Sequence, residues 1–293
     1  MRGAVVEQDG YVGSGPNSIK FHYDQGNEFF ALWLGSTMTY SGAMWEETED
    51  DLRTAQLRKL DWVATQARAG GVRRVLDIGC GWGSAMRRLV EGHDVQHVDG
   101  LTLSEEQVAY VNAAGDPRVE AHLEDWRTFD PKEPFDAIIS LGTIEHFVSI
   151  SEPDEVRAGT YREFFERCHS WLPRGGRLVL QTMAQGHAPL DRRARKDLRL
   201  VLTKIYPNSG PPWLKELVAG CEGHFEIISV TNRRMDYVRT LMCWNANLRA
   251  NRARAVELVG EEVVDVHERF FTGIARHFML GQGELLRIAF AAL

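Results

Sequence analysis

The sequence predicts an α/β protein: an open, mostly parallel sheet with helices on both faces. Three observations predict it. Short apolar runs suited to buried strands (residues 72–78, 135–142 and 178–183) are separated by stretches of helical patterning. The first run leads straight into Gly79-Cys80-Gly81-Trp82-Gly83, after which Ala85, Met86, Leu89 and Val90 take up helical spacing. The third is size and composition: 293 residues, 44% hydrophobic and 26% charged, are ample for one large core or one domain with a sizeable insertion. In such sheets ligands sit at the carboxyl edge where strand order reverses, so the rest of the chain is organised around the glycine turn.

Composition excludes several classes. A net charge of −7 argues against a general nucleic-acid binder, which would carry a basic face. The four cysteines (Cys80, Cys168, Cys221, Cys243) form no C-x-x-C pair, so no metal ligands or disulfide framework are expected. Residues 1–10 include Glu7 and Asp9 and no apolar h-region, and no run of 18 apolar residues occurs. A cytoplasmic enzyme without a spanning segment is therefore expected, with membrane contact not implied and oligomeric state open.

The glycine turn discriminates between two nucleotide readings. A dinucleotide site would show G-x-G-x-x-G facing a pyrophosphate. This chain has G-x-G-x-G with Asp77 two residues ahead, which suits an adenosyl ligand that needs close backbone approach and a nearby carboxylate. Asp-x-Gly-x-Gly-x-Gly, with Asp77, Gly79 and Gly81, resembles motif I of the class I methyltransferases that use S-adenosylmethionine (SAM).

Taken in order, residues 1–20 are rich in Gly, Ser, Asn and Pro and predict a mobile leader. Residues 21–70 read as an N-terminal helical cap. In it Phe29, Phe30 and Trp33 have the spacing of a core-packing helix face, whereas Tyr40 and Ser41 lie in a loop where ligand contact explains them better. The run His22-Tyr23-Asp24-Gln25-Gly26-Asn27-Glu28-Phe29-Phe30-Ala31-Leu32-Trp33-Leu34, then Met38-Thr39-Tyr40-Ser41-Gly42-Ala43, resembles the N-terminal signature of the cyclopropane fatty acid synthase family. That family includes the mycolic acid cyclopropane synthases and methyltransferases. The likeness extends to the C-terminus with its motifs in order, and it implies a Rossmann-like, seven-stranded methyltransferase fold.

Residues 46–69 read as a helix with acids at its start and Arg53, Arg58 and Lys59 later, a polarity that suits the helix dipole. Residues 94–98 read as the second strand. Asp99 is left between two readings, a ribose acceptor or a solvated strand end. At the next turn Ser104 caps a helix and Gln107 completes a capping box. The family resemblance implies that Thr102 and Gln107 also touch the cofactor. After a third strand, Asp125 and Trp126 are assigned to adenine, with a core role for the tryptophan as the alternative. The apolar strand at 135–142 carries Leu141 to the cofactor side and delivers Glu145 and His146 to the carboxyl edge. A carboxylate among apolar neighbours is costly unless paired or used; the other reading is a solvated loop acid. His146 reads as an ordinary supporting histidine.

A helix over 161–171 and a strand over 178–183 follow. Residues 184–222, with Arg192, Arg193, Arg195, Lys196 and Arg199 and then a Pro/Gly loop beyond Tyr206, break the sheet pattern and read as a substrate lid inserted in a core of 71–293. The basic run is a solvated helix face or a contact for an anionic head group or membrane. A strand at 225–230, a helix from Tyr237, continuous helix over 249–280 and a closing strand at 284–293 complete the chain.

The family resemblance implies attack of an alkene on the SAM methyl group, leaving a carbocation, with Glu145 and Tyr237 as catalytic residues. In cyclopropanating members a bicarbonate held by Cys, Glu, His and Tyr removes the proton that closes the ring. Here the Cys position is Gly42 and the His position is Gln181, whose amide neither carries charge nor shuttles a proton. These departures argue against bicarbonate and favour plain C-methylation. The cation would then be resolved by proton loss to Glu145, by hydride shift or by internal cyclisation, and Gly42 is expected to enlarge a substrate pocket shared with His146, Gln181 and Tyr206, suiting a bulkier isoprenoid or prenylated metabolite, with an unsaturated lipid also open. The alternatives are a true cyclopropane fatty acid synthase, an O- or N-methyltransferase with Glu145 as base, a non-catalytic SAM-binding protein and, less favoured by glycine spacing, a nicotinamide dehydrogenase.

Overall fold

The computed structural model describes residues 11–23, 25–48 and 50–293. Expectations for residues 1–10, Asp24 and Glu49 lie outside the described residues. Two short helices open the chain, α1 (Pro16–Tyr23) and α2 (Asn27–Leu34), followed by α3 (Leu52–Gln66). The second half of the expected mobile leader is thus placed: Ser14 is buried, its amide donating to His146 O at 2.8 Å. The helix foreseen from residue 46 begins only at Leu52. The acids before it satisfy turn donors instead, Asp50 accepting from the amides of Glu46 and Glu47 and Asp51 capping the helix at Thr54.

The core then alternates: β1 (Arg74–Ile78), α4 (Ser84–Gly92), β2 (His97–Thr102), α5 (Glu105–Asn112), β3 (Val119–Leu123) and β4 (Ala137–Leu141), a 3-10 turn (Ile144–His146), α6 (Asp154–Ser170) and β5 (Arg177–Gln185). After β5 come α7 (Arg192–Lys204), α8 (Leu214–Cys221), β6 (Phe225–Asn232), α9 (Arg234–Ala250), α10 (Arg252–Val259), α11 (Glu261–Met279) and β7 (Gly283–Ala292). The seven strands order as β3-β2-β1-β4-β5-β7-β6; the first five are parallel, and β7 runs antiparallel to both neighbours. The direction of winding reverses between β1 and β4, so the glycine turn after β1 and the 3-10 turn after β4 meet at one carboxyl edge.

Two differences from the sequence reading have local causes. The second strand starts at His97 rather than 94, because Asp94 sits at φ 56 in the turn that ends α4. The helix expected over 249–280 is broken where Gly260 adopts φ 83, which separates α10 from α11.

Among the described residues, three large apolar clusters and one small one (Ala43, Trp45 and Ala55) hold the molecule. One face of the sheet packs on α6 and α8 through Phe164, Phe165 and Leu217, and the other on α3 and α4 through Leu60, Val63, Met86 and Leu89. The third stands beyond the sheet: Phe29, Phe30 and Trp33 of α2 pack against Trp244 of α9 and Phe270 and Phe271 of α11. The N-terminal segment is therefore divided between layers, α3 on the sheet and α2 in a helical cap built mostly from residues 234–279.

Candidate active site

The glycine turn packs tightly on one side and stays open on the other. Gly79, Gly81 and Gly83 have φ of 82, 54 and 73. A Cβ on Gly79 would lie 1.8 Å from Thr143 Oγ1, whereas one on Gly81 would meet nothing within 4 Å. Gly79 lets β1 and β4 approach; Gly81 leaves bare backbone facing a cleft of about 1010 Å³, open mouth included. The cleft brings together Tyr40, Ser41, Asp77, Gly79, Gly81, Thr102, Gln107, Asp125, Trp126 and Leu141, all the residues assigned to the cofactor from sequence.

Their polar atoms are left in a telling state. Asp77 is buried, its Oδ1 has no hydrogen bond, and burial pushes its pKa up to about 7 against the opposing pull of Lys59. Thr102 Oγ1 donates to Gln107 Oε1 at 2.6 Å, leaving Gln107 Nε2 unmatched, while Ser104 caps α5 by accepting from the Gln107 amide. The cap therefore uses the Gln107 amide and leaves its side chain free of that duty. The Tyr40 hydroxyl is likewise buried without a hydrogen bond. Trp126 lines the cleft, and its ring packs 4.8 Å from Phe147 and edge-on to Phe164 as a core tryptophan does. Asp99 fits neither of its two readings: it lies inside β2, bonded to Arg74 at 2.7 Å and His122 at 3.0 Å, away from the cleft. His97, Asp99 and Glu120 bring ligand atoms within 4.8 Å of one another, a grouping the sequence reading did not foresee, and the Arg74 guanidinium already neutralises its carboxylate.

Beyond Tyr40 and Ser41 the cleft adjoins a smaller chamber of about 390 Å³, also lined by Gly42, Glu145, His146, Gln181, Tyr206 and Tyr237. Glu145 is the charged group at its centre. It is buried, Oε2 accepts from Thr182 Oγ1 at 3.0 Å and Oε1 from the Met183 amide at 3.1 Å, and burial lifts its pKa to about 7 despite those bonds. It is not a solvated loop acid. Burial also keeps the Tyr237 hydroxyl protonated by raising its pKa. His146 is held by Ser209 Oγ at 2.8 Å, and burial lowers its pKa to about 4, so it stays neutral at ordinary pH.

Gly42 and Gln181 behave otherwise than expected. A Cβ on Gly42 would lie 2.7 Å from Leu285 Cδ2 and 3.2 Å from Tyr237 Cδ2. Leu285 already fills the volume that the missing side chain was expected to vacate, so the glycine does not enlarge the pocket. Gln181 Nε2 donates to Gly42 O at 3.1 Å while its Oε1 accepts from Arg287 Nε at 2.7 Å. Arg287 is itself buried and also donates to Ala43 O and Asp236 Oδ2.

Glu145, His146, Met183 and Tyr206 also border a third space of about 1250 Å³. Its walls are apolar: Leu190, Leu198, Val201 and Leu202 from α7 and its approach, and Phe270, Ile274 and Phe278 from α11. The basic residues of α7 (Arg192, Arg193, Arg195, Lys196, Arg199) are exposed on the opposite face. Tyr206 stands at the join, its ring 5.1 Å from His146 and 6.4 Å from Tyr40.

Sequence reasoning missed Lys59 and Arg287. Lys59 was read only as one of the later basic residues that suit the helix dipole, yet it is wholly buried, and its Nζ donates to Ser41 Oγ at 2.7 Å. The signal was present: Ala55, Gln56, Lys59, Leu60 and Val63 form one helical stripe, and all are buried. Arg287 carried no such signal, because a strand buried on both faces has no polar side on which to expect it.

A family model described as mycolic acid cyclopropane synthetase matches residues 14–288. The chain belongs to that family. Cyclopropane mycolic acid synthase 3 of Mycobacterium tuberculosis is 34% identical over 278 residues, 90% of this chain and 93% of that protein. Cyclopropane mycolic acid synthase 2 of Mycobacterium leprae is 32% identical over 278 residues, 89% of each. Among solved structures, the cyclopropane synthase MmaA2 from Mycobacterium tuberculosis superposes with a TM-score of 0.87 at 30% identity, covering 97% of this chain and 100% of that one. Mycolic acid cyclopropane synthase CmaA1 complexed with SAH and CTAB gives 0.86 at 31% identity, covering 94% and 98%. Coclaurine N-methyltransferase, 0.77 at 19% identity over 96% of this chain and 83% of that one, shares the fold alone. This member of the mycolic acid cyclopropane synthetase family is a SAM-dependent methyltransferase. The residues present fit that cofactor: open backbone at Gly81 and unmatched polar atoms on Asp77, Gln107 and Tyr40 border one cleft. No described helix is long and apolar enough to cross a membrane.

Proposed function

We propose that the protein methylates a carbon of a carbon–carbon double bond in a hydrophobic acceptor, an unsaturated lipid or prenylated metabolite, and resolves the cation by proton loss to Glu145. The observation that carries this reading is the place of Glu145: a buried carboxylate where the small chamber and the apolar cavity meet, next in sequence to His146, which borders the cofactor cleft as well. SAM, when bound, supplies an electrophilic methyl group on sulfonium. Residues 184–222 act as the lid that wraps the acceptor, with Leu198, Val201 and Leu202 inward.

The chain's own residues do the rest. Apolar walls exclude water that would trap a cation. The rings of Tyr40, Tyr206 and Tyr237 offer negative faces to it. Positive charge on the acceptor also strengthens the pull of Glu145, whose oxygens stay oriented by Thr182 and the Met183 amide. The carboxylate takes a proton from the carbon next to the cationic centre, that C–H pair becomes the new double bond, and Glu145 ends protonated, which a pKa of about 7 permits. The donor set does not fit a bicarbonate: Gly42 presents no thiol, Leu285 stands beside it, and the Gln181 amide is held by Gly42 O and Arg287. No step is derived through that anion.

The names of the relatives favour one other reading, ring closure to a cyclopropane on an acyl chain. Purified protein given SAM with a trideuterated methyl group and a panel of unsaturated lipids and prenylated compounds separates the two by product mass. Retention of all three deuteriums is expected. Loss of one, marking a methyl group turned into a ring methylene, would establish cyclopropanation instead.

A further inference from the structure

Three segments distant in sequence wall the small chamber: the loop with Tyr40, Ser41 and Gly42, strand β5 with Gln181 and Thr182, and the start of α9 with Tyr237. One buried side chain bonds to all three. Arg287 on β7 stands opposite Gln181 in the antiparallel ladder and is 1% exposed. Its Nε donates to Gln181 Oε1 at 2.7 Å, its Nη2 to Ala43 O at 2.7 Å and its Nη1 to Asp236 Oδ2 at 3.3 Å. Gln181 extends the chain of bonds, its Nε2 donating to Gly42 O at 3.1 Å. Each partner adjoins a residue of the site. Gly42 follows Ser41, Asp236 precedes Tyr237, and Gln181 precedes Thr182, whose hydroxyl donates to Glu145.

Stability alone does not account for a guanidinium at this place. Burying a charge is costly, and well-packed apolar residues often serve as well or better. Asp236 has a second partner in Arg233 Nε at 2.9 Å, so it does not require Arg287 either. What a guanidinium adds is a rigid planar fork that fixes several acceptors relative to one another. Arg287 itself borders neither the cofactor cleft, nor the chamber, nor the apolar cavity. Its effect on the reaction must pass through its neighbours.

We propose that Arg287 is a positioning residue for methyl transfer, holding Tyr40 and Ser41 on the cofactor side and Glu145 and Tyr237 on the acceptor side in one fixed register. This inference rests on the roles proposed for those residues and adds what keeps them aligned. Other anchors keep the loop folded without it. Gln56 Nε2 donates to Ser41 O at 2.9 Å, and the Ala43 amide donates to Thr240 Oγ1 at 3.0 Å. Loss of Arg287 therefore shifts the loop rather than unfolding it, and a misplacement of about 1 Å can cost about 10²-fold in rate.

The test compares full-length protein with Arg287→Lys and Arg287→Met. Thermal melting, S-adenosylhomocysteine affinity by calorimetry and hydrogen exchange over residues 39–44 and 234–238 need no acceptor. Methyl transfer is read with whichever acceptor the trideuterated SAM panel reveals. Both variants are expected to fold, to exchange faster in those two segments and to bind S-adenosylhomocysteine more weakly. Their kcat should fall by about 10²-fold with little change in acceptor KM. Lysine should serve hardly better than methionine, because it keeps the charge but not the fork. Rescue by lysine would assign the role to charge and overturn the inference, as would unaltered kcat and exchange in either folded variant. Collapse of both variants would overturn it too, making Arg287 a structural residue of the core. If Glu145→Gln proves fully active, the proposed function fails, and exchange and S-adenosylhomocysteine affinity still decide whether Arg287 sets the register.

Discussion

The cofactor cleft and the acceptor cavity meet at His146, beside Glu145, but are built in opposite ways. The cleft is made of strand ends and the turns that follow them, with three glycines at positive φ (Gly79, Gly81 and Gly142), one capped helix start and a carboxylate at the end of β1. Each part is local in sequence and tolerates few residue types, because backbone approach and turn geometry restrict the choice. The cavity is made of side chains from α7, α11, the loop before α8 and the β5 and β7 ends, brought together across about 140 residues, and almost any apolar set of the right volume would line most of it. One region is held by geometry and the other by shape. Substitutions in the first should therefore act on cofactor binding or chemistry outright, and those in the second on acceptor choice.

The largest effect is expected at the join. Glu145→Gln should lower kcat by about 10²–10⁴-fold, as for loss of a general base, with SAM affinity nearly unchanged by calorimetry. An equal loss of cofactor affinity would show that the two regions are not separable there. The same residue sets a pH dependence. Activity that needs the carboxylate should rise through pH of about 7, and this inflection should vanish in Glu145→Gln. Stability should run the other way. A pKa raised from 4.5 to about 7 means that the folded state keeps its proton longer than the unfolded chain, so this contribution is intact below pH 4.5 and lost as pH rises through 7. The shift corresponds to on the order of 3 kcal/mol, and Glu145→Gln should flatten that part of the denaturation profile.

Within the cleft, Gly79→Ala and Gly81→Ala separate packing from strain. The first drives a methyl group into Thr143 and should unfold or strongly destabilise the protein in urea titration. The second meets open space and should cost about 1–2 kcal/mol of left-handed strain while weakening SAM binding. Similar losses of stability from both would contradict the geometry of the turn. Behind the cleft, burial pushes the Lys59 pKa well down, and its ammonium form opposes the rise in the Asp77 pKa, so Lys59→Met removes that opposition. SAM affinity should fall at neutral pH and recover at higher pH as Asp77 ionises. A loss independent of pH would assign Lys59 to holding Ser41 alone. The smallest effect belongs to the cavity side. Gly42→Ala should cost about 1–3 kcal/mol by overpacking against Leu285, and adding Leu285→Ala should return part of it.

How much could be read in advance follows the same division. The glycine turn, the capped start of α5 and the apolar strand leading to Glu145 were legible because each is a local pattern with a physical cause. Lys59 was legible only as part of a helical stripe; its charge drew attention to the helix dipole and away from burial. The pairing of Gln181 with Arg287, 106 residues apart, and the filling of Gly42's space by Leu285 were not legible, since both depend on β7 returning antiparallel beside β5.

The sequence by itself determined the α/β architecture, the carboxyl-edge cleft and the family to which they belong, because strand periodicity and glycine turns are written within a few residues of one another. Only the tertiary structure decided that the acceptor pocket is not widened at Gly42 and that Lys59 and Arg287 are buried basic side chains. Those outcomes depend on which distant side chain reaches a given volume first, and close packing settles that only when the whole chain is in place.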